Sequence, residues 1–489
     1  MFLFISESAI KRRELKRNTV MKATLTCTLL FAATVALAFP KWPDYPLDKW
    51  PESSYPDQIE SSIDSTLFCD LSPAIDKSVL VQKQDMLERF LRYVAVESGS
   101  EESAYPITPG QIEMAELLKT DAEALGAKVV KSEWQYVYVD IPANIDQDCP
   151  VVGFTCHLDY TPEVPGKGIK PIVIKYNGGV IRFANGTTIT PSEPGGEELS
   201  GLIGKTLIHS DGTTLLGGDD KNGCTILMSL IETLMNSNIK HGRVQFAFCP
   251  NEDVGHAADY IDQNYFNPDI LFDVDSRGGC EIFDSNFTAK EFEVLFIGNS
   301  IHAQYAKEKK FGDALAAAAT YIANIPVECR PERTDGVEGY IHPYYIEAKE
   351  KGSQYLVKSR IRYFDKVEGD LLYRLVRESL KKANQDFPYV KTEILRDEIL
   401  YDNVENTMHP DSRSVLDRAA ARSRIKIKYQ SKRAGSTASL LVVKGMKGGL
   451  SIFSGQHNVH SKQEYSCLEE MMDSYCLLLH AIEEVANLE

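Results

Sequence analysis

The chain has 489 residues, 43% of them hydrophobic, and a formal net charge of −17. That length carries enough apolar material for more than one domain core. The acidity argues against nucleic acid, whose phosphates need a basic face, and against an anionic membrane surface.

In chain order the first pattern is "MKATLTCTLLFAATVALA" (21–38): a positive start, an apolar run and a small-x-small ending at Ala36-Leu37-Ala38. It predicts a secretory signal peptide over 1–38, cleaved after Ala38, and therefore a secreted, extracellular or periplasmic protein. Residues 39–82 begin with prolines among aromatics, "FPKWPDYPLDKWPESSYP", which predicts an extended, non-helical segment.

Leu87, Phe90, Leu91 and Val94 recur at helical spacing and predict a helix over 83–95. "GQIEMAELLKTDAEALGA" (110–127) predicts a second, stopped by glycine. "PVVGFTCHLDY" (150–160) and "RVQFAFCPNED" (243–253) read as buried strands that end in polar residues, and "KNGCTILMSLIETLMNSN" (221–238) as the helix between them. This alternation predicts an α/β fold with a mixed, largely parallel sheet. In such sheets ligands collect at the carboxyl ends of strands.

From about 287 the pattern changes. "KEFEVLFIGN" and "YLVKSRIRYFD" alternate as half-exposed strands, while "DALAAAATYIANI" and "DLLYRLVRESLKKANQ" read as helices. They predict an α+β domain over 287–402, inserted between two parts of a catalytic domain, 83–286 and 403–489. "GGLSIFSG" and "EEMMDSYCLLLHAIEEVANL" supply the last strand and helix. Ten cysteines are scattered without a disulfide framework or a CxxC thiolate site. Asn185 (NGT) and Asn286 (NFT) fit glycosylation acceptors.

Four segments carry groups suited to chemistry. In "HLD" (157–159) a strand places His157 and Asp159 on one side, so that a carboxylate can orient an imidazole ligand. In "NED" (251–253) Glu252 and Asp253 suit two roles, one binding metal and one taking a proton from water. "LFDVDSRGG" (271–279) offers Asp273 and Asp275, one of which could be a ligand. "SGQHNVHSKQEY" (454–465) offers His457 and His460, one or both of which could bind metal. A fifth segment, "LLGGDDKNG" (215–223), is open between a turn, a phosphate loop and a metal site. The Gly spacing and the missing Ser/Thr after Lys221 exclude the phosphate loop. Nitrogen and oxygen donors from separate strand ends are what a pair of zinc ions requires.

Together these segments resemble the peptidase T family, a tripeptide aminopeptidase group of dinuclear zinc exopeptidases. "GFTCHLDYTPE", "KTLIHSDGTTLLGGDDKNG", "FCPNEDVG", "DVDSRGG" and "QHNVHSKQEY" fall in the family's order, and the likeness runs from about 83 to the C-terminus. The resemblance implies two zinc ions per subunit. His157, Asp220 and Asp275 would hold one, and Asp220, Asp253 and His460 the other, with Asp220 bridging. Asp159 would orient His157, and Glu252 would be the general base. His302, Arg362 and Asn403 would meet the substrate, a short peptide. It also implies closure of the inserted domain over the metals, and a homodimer through that domain's sheet edge by analogy.

The chain departs from the family's pattern at Asp253, where glutamate is usual, at Ala303-Gln304 in place of Pro-Gly, and at Thr437 of "RAGSTAS" in place of aspartate. The expectation is a secreted zinc aminopeptidase. The alternatives are a related dipeptidase or amidohydrolase on the same site, and a secreted peptide-binding pseudo-enzyme.

Overall fold

In the computed structural model, which describes residues 80–350 and 352–488, the apolar run before His157 is a strand buried along its length. The strands in chain order are β1 (Lys128–Lys131), β2 (Val137–Ile141), β3 (Val152–His157), β4 (Ile172–Lys175), β5 (Thr206–His209), β6 (Val244–Cys249), β7 (Ile270–Arg277) and β8 (Glu281–Asn286). There follow β9 (Thr288–Ile297), β10 (Tyr340–Glu350), β11 (Gln354–Tyr363) and β12 (Lys391–Tyr401), then β13 (Lys428–Lys432), β14 (Gly449–His457) and β15 (Tyr465–Cys467). The helices are α1 (Lys83–Val94), α2 (Pro109–Ala124), α3 (Gly218–Asn236), α4 (Ala314–Ala323), α5 (Lys366–Asp386), α6 (Ser412–Ser423), α7 (Thr437–Val442) and α8 (Leu468–Ala486).

An 11-stranded sheet runs β1-β2-β6-β3-β7-β14-β15-β5-β4, with β8 and β13 joined to it beside β14. The four central strands β6, β3, β7 and β14 are parallel, and the flanking strands along this path are antiparallel. The parallel strands read as continuous apolar runs because both faces are covered. Phe154, Phe246 and Phe272 stack across them, with ring centroids 5.3 and 5.7 Å apart, and all three are fully buried. Helix α3 lies against β3 and β14 and beside α1 and α8. The heptad-like burial of Met86, Leu87, Phe90 and Leu91 in α1 follows from its apolar spacing.

The second sheet has the order β10-β11-β9-β12. Phe292, Val294 and Phe296 of β9 pack under Ala317, Ala318 and Tyr321 of α4 and Leu372, Val376 and Leu380 of α5. The fold class expected from the sequence is thus present, as a mixed α/β architecture with a parallel centre. The two edge strands of this sheet, β10 and β12, are additions to the sequence reading: they are largely exposed and carry little periodic apolar signal.

The signal segment and most of the aromatic extension lie outside the described residues. No disulfide joins two cysteines among the described residues, and no helix there is long and apolar enough to cross a membrane. One expectation is corrected. Asn286 is 3% exposed and its amide donates to the carbonyls of Phe287 and Asp402, so in the folded chain it is not a glycan acceptor. Asn185 is exposed, although its amide donates to the Gly212 carbonyl.

Candidate metal centre

The carboxyl ends of β3, β6 and β7, the start of α3 and the turn after β14 converge on one cluster. Strand β3 ends at His157, which is 1% exposed. Its Nε2 lies 2.9 Å from Asp219 Oδ1 and 3.9 Å from Asp275 Oδ1 at the end of β7. Asp219 Oδ2 lies 3.4 Å from His460 Nε2, and the same nitrogen is 2.8 Å from Asp253 Oδ1. Asp219 therefore faces both histidines. Candidate ligand atoms of His157, Asp219 and Asp275 lie within 4.8 Å of one another, as do those of Asp219, Asp253 and His460.

This corrects the expected role of Asp220. Asp219, not Asp220, stands between the two histidines, and Asp220 turns away. Both residues depart from helical backbone angles, Asp219 with φ −80° and ψ 104° and Asp220 with φ −121° and ψ 42°. Asp220 is fully buried, with Oδ1 accepting from the Gly223 N–H at 2.9 Å and Oδ2 from the His157 N–H at 3.3 Å. It caps the regular part of α3 and ties it to the end of β3. Gly223 permits this approach, since a Cβ there would sit 2.3 Å from the Val274 carbonyl and 2.4 Å from Asp220 Oδ2.

Asp159 lies behind His157, with Oδ1 3.4 Å from Nδ1. The same carboxylate accepts the main-chain N–H groups of Glu252 and Asp253 at 3.0 and 3.3 Å. One buried side chain thus faces the ring of His157 and anchors the turn that carries the two acids. The Glu252 carboxylate makes no close ion pair; its Oε2 is 3.9 Å from His157 Nε2 and its side chain is 18% exposed.

The electrostatics show a site short of positive charge. Burial pushes Glu252 up to about 8; His157 opposes this, and the charges of Asp275, Asp219 and Asp159 add to it. Burial likewise pushes Asp275 up to about 8, with Asp219 adding, and Asp253 up to about 7 against the pull of His460. Burial would raise Asp219 too, but hydrogen bonds to His157 and His460 outweigh it and hold this carboxyl below its ordinary range. The bonds to Asp219 and Asp253 raise His460 to about 11. Three acids inclined to stay protonated beside two histidines are the charge pattern that bound cations would relieve. Asp253 Oδ2 is buried without a hydrogen-bond partner. The donor set, imidazole nitrogen and carboxylate oxygen at strand ends, therefore fits a pair of divalent cations.

The three residues expected to meet the substrate have other partners in the structure. Exposed His302 caps a short turn of the inserted segment, its Nδ1 accepting from the Gln304 N–H at 3.3 Å, and makes no hydrogen bond or ion pair with the cluster. Arg362 donates to the Tyr340 hydroxyl and the Arg433 carbonyl, both at 3.0 Å. Asn403 is 4% exposed and is corrected to a structural residue. Its Oδ1 accepts from the N–H groups of Asn286 and Glu405, which fixes the junction of β8 and β12 and commits its acceptor to the fold. Of the two histidines after β14, His457 is not in the cluster. It bonds Glu198 on one side and Glu470, at 2.8 Å, on the other.

The structure also shows residues that motif reading did not single out. Asn251, fully buried at φ 56°, exchanges hydrogen bonds with Gln111 and donates to the Ala104 carbonyl, so it sets the turn that presents Glu252. Gln456 donates to Asp275 Oδ1 at 3.1 Å. Lys221 is buried, with Nζ on the Val96 carbonyl at 2.5 Å and over the Tyr160 ring; burial pulls it down to about 7. Only the polarity of Asn251 and Gln456 at strand ends hinted at these roles.

No family model matches the chain. Peptidase T of Listeria innocua is 33% identical over 415 residues, covering 83% of this chain and 98% of that protein. Peptidase T of Clostridium perfringens is 33% identical over 409 residues, covering 82% and 98%. Among solved structures, the aminopeptidase PepT of Bacillus cereus matches with a TM-score of 0.63 at 20% identity, over 84% of this chain and all of that one. A dinuclear metal-binding peptidase of the M20 family from Bacillus subtilis matches with a TM-score of 0.52 at 13% identity, over 82% and 98%.

Proposed function

The chain belongs to the peptidase T family, and from that premise we propose that it is a secreted zinc aminopeptidase that releases the N-terminal residue of short peptides, tripeptides above all. It is a metallopeptidase. The observation that carries the finer reading is Asp219, whose two oxygens face His157 and His460 while Glu252 beside them is left without a close partner.

In this reading His157, Asp219 and Asp275 would hold one cation and Asp219, Asp253 and His460 the other. The donor chemistry favours zinc. When bound, the cations supply Lewis acidity, polarising the scissile carbonyl and acidifying the attacking water. Glu252 takes the proton from that water on its carboxylate and delivers it to the departing amine. The turn anchored by Asp159 and Asn251 holds Glu252 in place for both transfers. Asp159, at Nδ1 of His157, keeps the ring oriented with Nε2 toward Asp219. Closure of the inserted sheet over the cluster would carry His302 and Arg362 to the substrate and exclude water. Export rests on the pattern at residues 21–38.

Glu252→Gln tests the base. The variant is expected to retain the metal content of the parent and to lose about 10²- to 10⁴-fold in kcat on a tripeptide. An unchanged kcat would remove Glu252 from this role.

A further inference from the structure

Glu464 is 1% exposed, and among the described residues no cationic side chain lies within 4 Å of its carboxylate. Its partners are main-chain donors. Oε2 accepts from the N–H groups of Leu216 and Gly217, each at 2.8 Å, and Oε1 from the N–H of Asp219 at 3.0 Å. A carboxylate taken out of water without a counter-cation is costly unless such bonds replace its hydration. Three converging N–H groups require an acceptor at both heads of the side chain, which a carboxylate has and an amide lacks.

The captured segment is where regular backbone fails. Gly217 adopts φ +76°, and Asp219 and Asp220 depart from helical angles. The helix ladder cannot satisfy these N–H groups or fix the direction of Asp219. The loop is also pressed against the segment that grips it: a Cβ on Gly218 would meet Ser466 Oγ at 2.4 Å and Glu464 Oε1 at 3.3 Å. Ser466 in turn donates to Asn222 Oδ1 at 2.9 Å. Glu464 follows His460 by four residues, so one short turn delivers both a candidate ligand and the tether of its neighbour.

We propose that Glu464 is a positioning residue for the shared metal ligand: by capturing the main-chain N–H groups of Leu216, Gly217 and Asp219 it holds the Asp219 carboxylate between His157 and His460. The inference rests on the metal-centre reading above. A glutamine cannot replace this group. Its amide has one acceptor oxygen and one donor nitrogen, so whichever way it is turned either the 216–217 pair or Asp219 faces a donor. Because Asp219 serves both cations, a shift of the loop weakens both sites while the rest of the fold persists.

The test is metal titration of the full-length protein and Glu464→Gln, with zinc against a chromophoric chelator and with cobalt by its visible spectrum. Circular dichroism of the metal-free proteins serves as the folding control. Glu464→Gln is expected to bind metal about 10- to 100-fold more weakly, with an altered cobalt spectrum and a lower kcat at little-changed KM. If the glutamine variant does not fold, Glu464→Asp decides, since it keeps the charge on an arm too short to reach all three donors. A folded variant that binds both metals as tightly as the parent, with the parent's cobalt spectrum, would overturn the proposal. A parent chain that takes up no metal would overturn the metal-centre reading itself.

Discussion

Asp219 and Asp220 are adjacent and chemically identical, yet the fold gives them opposite tasks. One lies between two histidines and the other accepts N–H groups at the start of a helix. Spacing along the chain cannot separate two neighbours of the same type; only the backbone angles at the helix entry do, and these depend on Gly217 and on Glu464 some 245 residues away in sequence. The other strand-end residues were legible because a strand direction fixes which side they face. His157 with Asp159, Glu252 with Asp253, Asp275 and His460 converge; the motifs left Asp275 open against Asp273 and His460 against His457, and the family resemblance alone chose between them. Asp219→Ala is expected to weaken metal binding by more than about 100-fold, since ligand loss exceeds the loss of an outer partner. Asp220→Ala is expected to keep metal binding closer to the parent and to destabilise the fold by about 1–3 kcal/mol through unmet buried donors. Metal titration and thermal denaturation of both variants separate the roles; equal metal loss would contradict them.

At the scale of elements, apolar pattern revealed β3, β6, β9, β11 and β14 and the helices α1 to α5 and α8, because a buried face leaves an apolar run or a regular apolar spacing. It missed the remaining strands of the larger sheet, the helices α6 and α7, and β10 and β12, which sit at the edges of the second sheet and are largely exposed. It also gave no sign of the His457 latch, where the end of β14 is bound to Glu198 and to Glu470 of α8. Burial alone would lower His457, but the two glutamates outweigh it and raise the ring to about 9. Hydrogen bonding to His457 is what lowers Glu198, and Glu470 is also lowered because the same histidine outweighs its burial. A raised histidine stabilises the fold fully below its ordinary pKa and loses that contribution as pH rises through the folded value. The lowered glutamates contribute above their ordinary range and lose it as pH falls. The latch is therefore strongest between the ordinary glutamate and histidine ranges, about pH 5 to 6.5. His457→Asn is expected to lower the unfolding temperature most near pH 6, with the gap closing toward about pH 9. A gap that widens with pH would contradict the assignment.

At the scale of the whole molecule, two sheets meet where Asn286, Thr288, Asp402 and Asn403 exchange hydrogen bonds. The sequence marks this boundary by a change in pattern near 287, but it does not disclose that Asn403 belongs to the junction. Nor does it disclose that Arg362 is held by Tyr340 and Arg433. Those roles arise from long-range contacts that local pattern does not encode. The cluster is built from the strand ends and following turns of the larger sheet and from the helix start beside it, and the second sheet supplies none of its candidate ligands. The central claim, a two-cation site that cuts N-terminal residues from short peptides, is tested most directly by stepwise zinc addition to chelated protein. Release of the N-terminal amino acid from a panel of di- and tripeptides is followed at each step. Activity is expected to be absent without metal, to reach its plateau at two zinc ions per chain and to favour tripeptides. Zinc-saturated protein that releases no N-terminal residue from any peptide of the panel would contradict the claim.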